Sequence, residues 1–196
     1  MEIKPIVPNP GLVRDACRQF DEENAVVERA LAELFRQYPT NDDEAHVLLK
    51  VVALNRLYSA GILAVMDVAR HIYQQAQEVD GALKADPPSP EAVDQIAQVT
   101  ILATGKQRKF WSFATKYCSW HRPESYPIWD SRVARYLRSL KGSPFIRPDN
   151  WTHYREFAVL MNRFRDFYNL SSFTFKEIDK FLFLSGEELR KGDIRS

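Results

Sequence analysis

Cysteine is nearly absent from this 196-residue chain: there are two, Cys17 and Cys118, far apart in sequence. Two thiols cannot build a four-cysteine zinc or iron–sulfur site. They read as free buried thiols in a reducing cytosol rather than as a disulfide framework. Glycine is scarce as well, at seven residues, most of them at apparent breaks between periodic stretches. No run is apolar for the length of a bilayer crossing. The opening MEIKPIVPNPGLVRD lacks the apolar core of a signal peptide, so cytoplasmic residence without a membrane partner is the expectation. Strand-like alternation of useful length and internal repeats are both missing, which argues against sheet and solenoid classes. His46, His71 and His153 sit in helical stretches without metal-ligand spacing, so no metal and no cofactor are expected.

What is present is an ordinary globular composition, 45% hydrophobic and 27% charged, carrying repeated helix signals. Asp21 precedes ENAVVERALAELFRQY, whose Val26, Ala30 and Leu34, with Val27 and Leu31, form one apolar face that Pro39 ends. Asn41-Asp42-Asp43 caps EAHVLLKVVALNRLY. Gly61 breaks the chain before ILAVMDVARHIYQQAQ, and the apolar run from Val47 to Val68 predicts a central, buried helix pair. Ser89-Pro90-Glu91 opens AVDQIAQVTIL. Gly105 then turns the chain into KQRKFWSFATKYCSW, expected as a helix. Asp130 caps SRVARYLRSLK up to Gly142, Asp149-Asn150 opens WTHYREFAVLMNRFRDFY, and Thr174 with Glu177 forms a capping box for FKEIDKFLFL. The residues after Gly186 are expected to fray. The fold class is therefore all-α, with about nine helices and no sheet.

Charge is unevenly spread. Residues 1–100 carry nine Lys/Arg against sixteen Asp/Glu, whereas residues 101–141 carry nine basic residues against only Glu124 and Asp130. A local basic field of this kind attracts polyanions. Within it, Asp130 stands at the head of a helix bearing Arg132, Arg135 and Arg138. A carboxylate there accepts backbone N–H bonds and sits in the positive end of the helix dipole. Capping alone accounts for such a residue. So does a role in stabilising a cation or orienting a water.

The stretch GKQRKFWSFATKYCSWHRPESYPIWDSRVARYL, and within it PIWDSRVARYL, resembles the helix–hairpin–helix base-excision DNA glycosylase superfamily, in which a backbone-gripping hairpin precedes an aspartate at a helix N-terminus. The upstream HVLLKVVALNRLYSAGILAVMDVA resembles that family's apolar helix pair. The resemblance implies a two-lobed helical fold without an iron–sulfur cluster: residues 43–127 form one lobe, residues 1–42 with 128–196 the other, and a DNA cleft lies between them. It implies Asp130 as the catalytic carboxylate, facing positive charge on the sugar as the base departs. Trp111, Ser112, Tyr117, Trp120, His121, Tyr126 and Trp129 would supply the base pocket, about two of the aromatics lining it, since a base must be flipped to be reached. Asn55 and Tyr58 would fill the gap in the duplex. Gly105, Lys106, Arg108, Lys109, Arg132 and Arg135 would grip the backbone, the three cations of the hairpin compensating for a second glycine that LATGKQRK lacks. Lys109 or Lys106 would be the nucleophile of a lyase step. The alignment places neither well, so a monofunctional enzyme is the leading expectation.

The partner implied is double-stranded DNA, the protein acting as a monomer. The substrate would be a damaged or modified base, hypermodified phage bases included. Two other classes fit the same residues: a non-catalytic nucleic-acid-binding protein with Asp130 as cap only, and a helical interaction module that holds a protein partner on its aromatic face.

Overall fold

The computed structural model describes residues 5–140 and 153–195. It is helical in the main. In chain order come α1 (Pro10–Gln37), α2 (Glu44–Leu57), α3 (Val65–Gln74), α4 (Ala76–Lys84), α5 (Glu91–Ala97), β1 (Gln98–Ile101), β2 (Lys106–Lys109), α6 (Trp111–His121), α7 (Ser131–Ser139), α8 (Tyr154–Phe167) and α9 (Phe175–Arg195). The expected helix start at Asp149-Asn150 and stop at Gly142 lie outside the described residues. No helix among those described is long and apolar enough to cross a membrane.

Local chemistry fixes most element ends. The Asp43 carboxylate accepts the His46 N–H at 3.0 Å and starts α2. At α9 the Thr174 N–H donates to Glu177 Oε2 at 2.7 Å while Glu177 N–H donates to Thr174 Oγ1 at 3.2 Å, the reciprocal pairing of a capping box. α1 begins earlier than its apolar stripe suggests, because Asn9 Oδ1 accepts the Leu12 N–H at 3.1 Å and Pro10 is pre-set for a first helical position.

Two expectations are corrected. The segment after α5 is a β-hairpin, not a break between helices. β1 and β2 pair antiparallel, with Gln98 opposite Lys109 and Ile101 opposite Lys106. Val99-Thr100-Ile101 is a β-branched run. Gly105, at φ +64°, takes the left-handed conformation that lets its N–H reach Ile101 O at 2.8 Å. The second correction concerns the end of the chain, where α9 continues through Gly186 to Arg195. A Cβ at Gly186 would lie 2.8 Å from the Arg132 carbonyl carbon, so this glycine permits α9 to run close against α7 rather than ending it.

Contacts divide the chain into two compact units, Met1–Ala25 with Pro127–Ser196, and Val26–Tyr126. The division cuts α1, which is continuous, so the segment that joins the 26–126 unit begins seventeen positions before residue 43, where the sequence suggested a boundary. In the first unit Val13, Val133, Leu137, Phe157, Phe164, Ile178 and Leu182 are buried; in the second Leu31, Val47, Val51, Leu54, Val68, Ile72, Val79, Val93 and Ile96 are. Each such side chain contributes about 1.5–3 kcal/mol by leaving water. The run from Val47 to Val68 is buried on one side only: Leu49, Val52, Leu57 and Met66 are between 44% and 50% exposed, and Leu63 is 99% exposed.

Candidate functional site

Asp130 is the N-cap of α7. Its extended backbone stops the loop, and its Oδ1 accepts the N–H groups of Arg132 at 2.9 Å and Val133 at 3.0 Å. The residue is only 6% exposed. Two backbone donors on one oxygen fix the carboxylate rigidly at the positive end of a helix. The loop before it is held as well, since Tyr154 Oη donates to Pro127 O at 2.7 Å.

The arginines of α7 do not share one role. Arg132 Nε donates to Glu187 Oε2 at 2.6 Å, and its guanidinium lies 4.7 Å from the Phe183 ring centroid. Hydrogen bonds from Arg190 and then Arg132 hold the Glu187 carboxyl below the usual range. Arg132 thus ties α7 to α9. Arg135 is half-buried and Arg138 exposed.

The residues expected to line a base pocket separate into two groups. Tyr117 is fully buried and donates to Asn41 Oδ1 at 2.5 Å; Tyr126 is 1% exposed and donates to Ser89 O at 2.8 Å. Trp120, 8% exposed, stacks on Phe35 and meets Tyr58 edge-on. These three are core of the 26–126 unit: the two tyrosine hydroxyls are satisfied, and the Trp120 ring packs on Phe35 and Tyr58. Trp111, Ser112 and Trp129 remain partly exposed. Lys116 Nζ, on the buried side of α6, donates to Ser112 Oγ at 2.9 Å.

Asn55 and Tyr58, expected to fill the gap in a duplex, both have partners within the fold. Asn55 Nδ2 donates to Ile62 O and its Oδ1 accepts the Ile62 N–H, both at 2.8 Å. This two-way clasp closes the loop 58–64, in which Ser59 and Gly61 have positive φ. Tyr58 Oη donates to Glu28 at 2.8 Å. Lys106, Arg108 and Lys109 stand exposed on β2, with Lys109 Nζ 4.4 Å from the Trp111 ring centroid. They form an open cationic strand rather than a phosphate-binding glycine nest.

A centre that the sequence reading passed over surrounds Lys50. This lysine has no exposed surface. Its ammonium donates to Tyr38 O at 3.1 Å, Thr40 O at 2.8 Å and Asn41 Oδ1 at 2.8 Å, and lies 3.4 Å from His121 Nε2. Asp80 anchors Asn41 through its backbone N–H at 3.0 Å and its Nδ2 at 2.5 Å. Burial lowers the Lys50 amine to about 8 despite the nearby charges of Asp80 and Asp42. Burial first, then the Lys50 and Lys84 charges, lower His121 to about 3, so that ring is neutral at physiological pH. The missed signal was positional: Val47, Lys50, Val51 and Leu54 fall on one helical face, and a lysine in phase with three apolar residues has to be buried. Among the described residues, no group of three or more His, Cys, Asp or Glu is placed to hold a metal ion.

The model of one protein family, described as HI_0787_N, N-terminal domain, matches residues 12–125. The chain belongs to the HI_0787_N family. An uncharacterized protein of Haemophilus influenzae is 38% identical over 139 residues, which span 69% of this chain and 63% of that relative. No solved structure matches. The HI_0787_N match takes in the Lys50 centre, the Asn55 clasp and the β-hairpin, and it stops before Asp130.

Proposed function

We propose that the protein is a monofunctional DNA N-glycosylase that hydrolyses the bond between sugar and a damaged or modified base, with Asp130 as its carboxylate. The observation that carries this reading is the placement of Asp130: a nearly buried carboxylate, fixed by two backbone N–H groups at a helix head, downstream of a cationic strand and partly exposed tryptophans. Rupture of the C1′–N bond leaves positive charge on the sugar, and a water oxygen takes the place of the base. A carboxylate that is already oriented stabilises that charge without reorganising. Lys106 and Lys109 lie on an open strand, which suits electrostatic contact with the DNA backbone better than an imine with the sugar.

The test is base release. Duplexes carrying alkylated, oxidised, mismatched and phage-type hypermodified bases are incubated with the protein, abasic sites are cleaved with alkali, and the fragments are resolved. Wild type is expected to release at least one of these bases. Asn is itself a good N-cap, so Asp130→Asn is expected to fold normally and to lose at least about a hundredfold in rate, the scale of removing a preorganised electrostatic group. Failure of wild type to release any base would overturn the proposal. A second reading, a nucleic-acid-binding protein without catalysis, is favoured by the exposed Lys106, Arg108 and Lys109; it gives salt-sensitive binding, no release, and unchanged affinity in Asp130→Asn.

A further inference from the structure

Helix α2 has two apolar sides. Val47, Val51 and Leu54, with Lys50, face the core. Opposite them, Ala45, Leu49, Val52 and Arg56 are all exposed, Leu49 at 50% and Val52 at 46%. Their spacing of four, three and four residues is that of the seam along which two helices pack side by side. Among the described residues, those on the inner face of α2 are buried while Leu49 and Val52 on its outer face are left half exposed.

The ends of the seam carry opposite charge. Asp43 and Glu44 stand at the N-terminus of α2 and Arg56 at its last turn. The side chains of Asp43 and Glu44 are 50% and 42% exposed, and Glu44 already pairs with Arg70 at 3.3 Å. If two α2 helices lie antiparallel about a twofold axis between residues 50 and 51, Leu49 meets the other copy's Val52 and Ala45 meets the other copy's Arg56. The small Ala45 leaves room for the arginine stem, and the guanidinium reaches the carboxylates of Asp43 and Glu44. The helix dipoles oppose one another, which is also favourable. A parallel pair would instead set arginine against arginine and acid against acid.

We propose that the outer face of α2 is a self-association surface on which two copies of this chain pack antiparallel. This departs from the monomer that the sequence suggests. A seam of about 21 Å, fourteen residues at 1.5 Å each, is at the small end of specific interfaces, so the dimer is expected to form at roughly micromolar concentration.

Cross-linking of the full-length protein reads out the geometry. Along one helix residues 45 and 56 are about 16 Å apart, too far for a short bismaleimide to bridge within a chain. The double variant Ala45→Cys/Arg56→Cys is expected to give a covalent dimer with that reagent. Ala45→Cys alone and Arg56→Cys alone, which also control for Cys17 and Cys118, are expected to stay monomeric. A charge exchange supplies the second arm. Leu49→Lys/Val52→Lys and Leu49→Glu/Val52→Glu are each expected to sediment as monomers, and their mixture as a heterodimer. Cross-linking of the single variants as strong as that of the double variant would overturn the proposal. So would sedimentation equilibrium that shows wild-type monomer throughout the micromolar range.

Discussion

Lys50 shows what one buried charge does to a small helical unit. Its ammonium closes three acceptors, the carbonyls of Tyr38 and Thr40 and the Asn41 side chain, so the chain leaving α1 is fastened to α2. Removing one partner of such a set leaves the others buried and unmet. Lys50→Ala is therefore expected to destabilise by about 3–5 kcal/mol, measured as a lowered midpoint in urea. The same group gives a pH signature. Its amine falls from 10.5 in the unfolded chain to about 8 in the fold. Between those values the unfolded state binds more protons, so stability rises with pH. Tyr117, raised by burial above the 10.0 of a free phenol, acts in the opposite sense at higher pH, and Cys17 and Cys118, raised by burial above the 9.0 of a free thiol, do so already in the range where Lys50 titrates, so the Lys50 contribution is read as the difference between wild type and a Lys50 variant. His121, lowered from 6.5 to about 3, contributes stability that is present above 6.5 and lost as pH falls toward 3. From pH 8 to 9.5 the denaturation midpoint of wild type should gain on that of Lys50→Met, which keeps the opposing thiols of Cys17 and Cys118 but lacks the amine. Equal slopes would mean that Lys50 does not titrate there.

At the scale of elements, what was legible in the sequence was whatever a short-range rule decides. Asp43, Asp130 and Thr174 with Glu177 announced helix starts that the structure contains, because an N-cap is settled within four residues. What was not legible depended on neighbours far along the chain. Val99-Thr100-Ile101 continues an apolar period of helical spacing, and only its pairing with Lys106–Lys109 makes it a strand. Gly186 looked like a terminator because a helix C-terminus and a close helix crossing both ask for glycine; which of them applies is settled by the Arg132 carbonyl on α7. The Asp130 position was legible, but the burial of Tyr117 and Tyr126 and the clasp of Asn55 were not, since a ring or an amide is typed by its partners and not by its spacing. Gly186→Ala is expected to cost about 1–3 kcal/mol through overpacking, seen as a thermal midpoint lowered by several degrees. Gly81→Ala, whose Cβ meets nothing within 4 Å, is expected to be neutral or stabilising.

Taken whole, the molecule separates its charge. Nearly neutral overall at +1, it gathers nine basic residues against two acids within residues 101–141. Several of these cations are committed inside the fold: Arg132 to Glu187, Arg122 to Glu124 and the Leu83 carbonyl, Lys116 to Ser112. The formal charge of that stretch therefore overstates what a polyanion meets, and the exposed strand Lys106–Lys109 carries three of its cations. If Lys106, Arg108 and Lys109 each neutralise one phosphate, replacing all three by Gln should reduce the slope of log K against log salt by about three. A slope unchanged in that triple variant would move the nucleic-acid contact elsewhere on the protein.

The seclusion of Lys50 also turns that residue into a clock. An amine that is half deprotonated near pH 8 would be quick to acylate if a reagent could reach it, yet it has no exposed surface. Lys106 and Lys109 label at once, whereas Lys50 waits for the 26–126 unit to open. The rate at which mass is added at position 50, followed by peptide mapping, counts those openings one molecule at a time under fully native conditions.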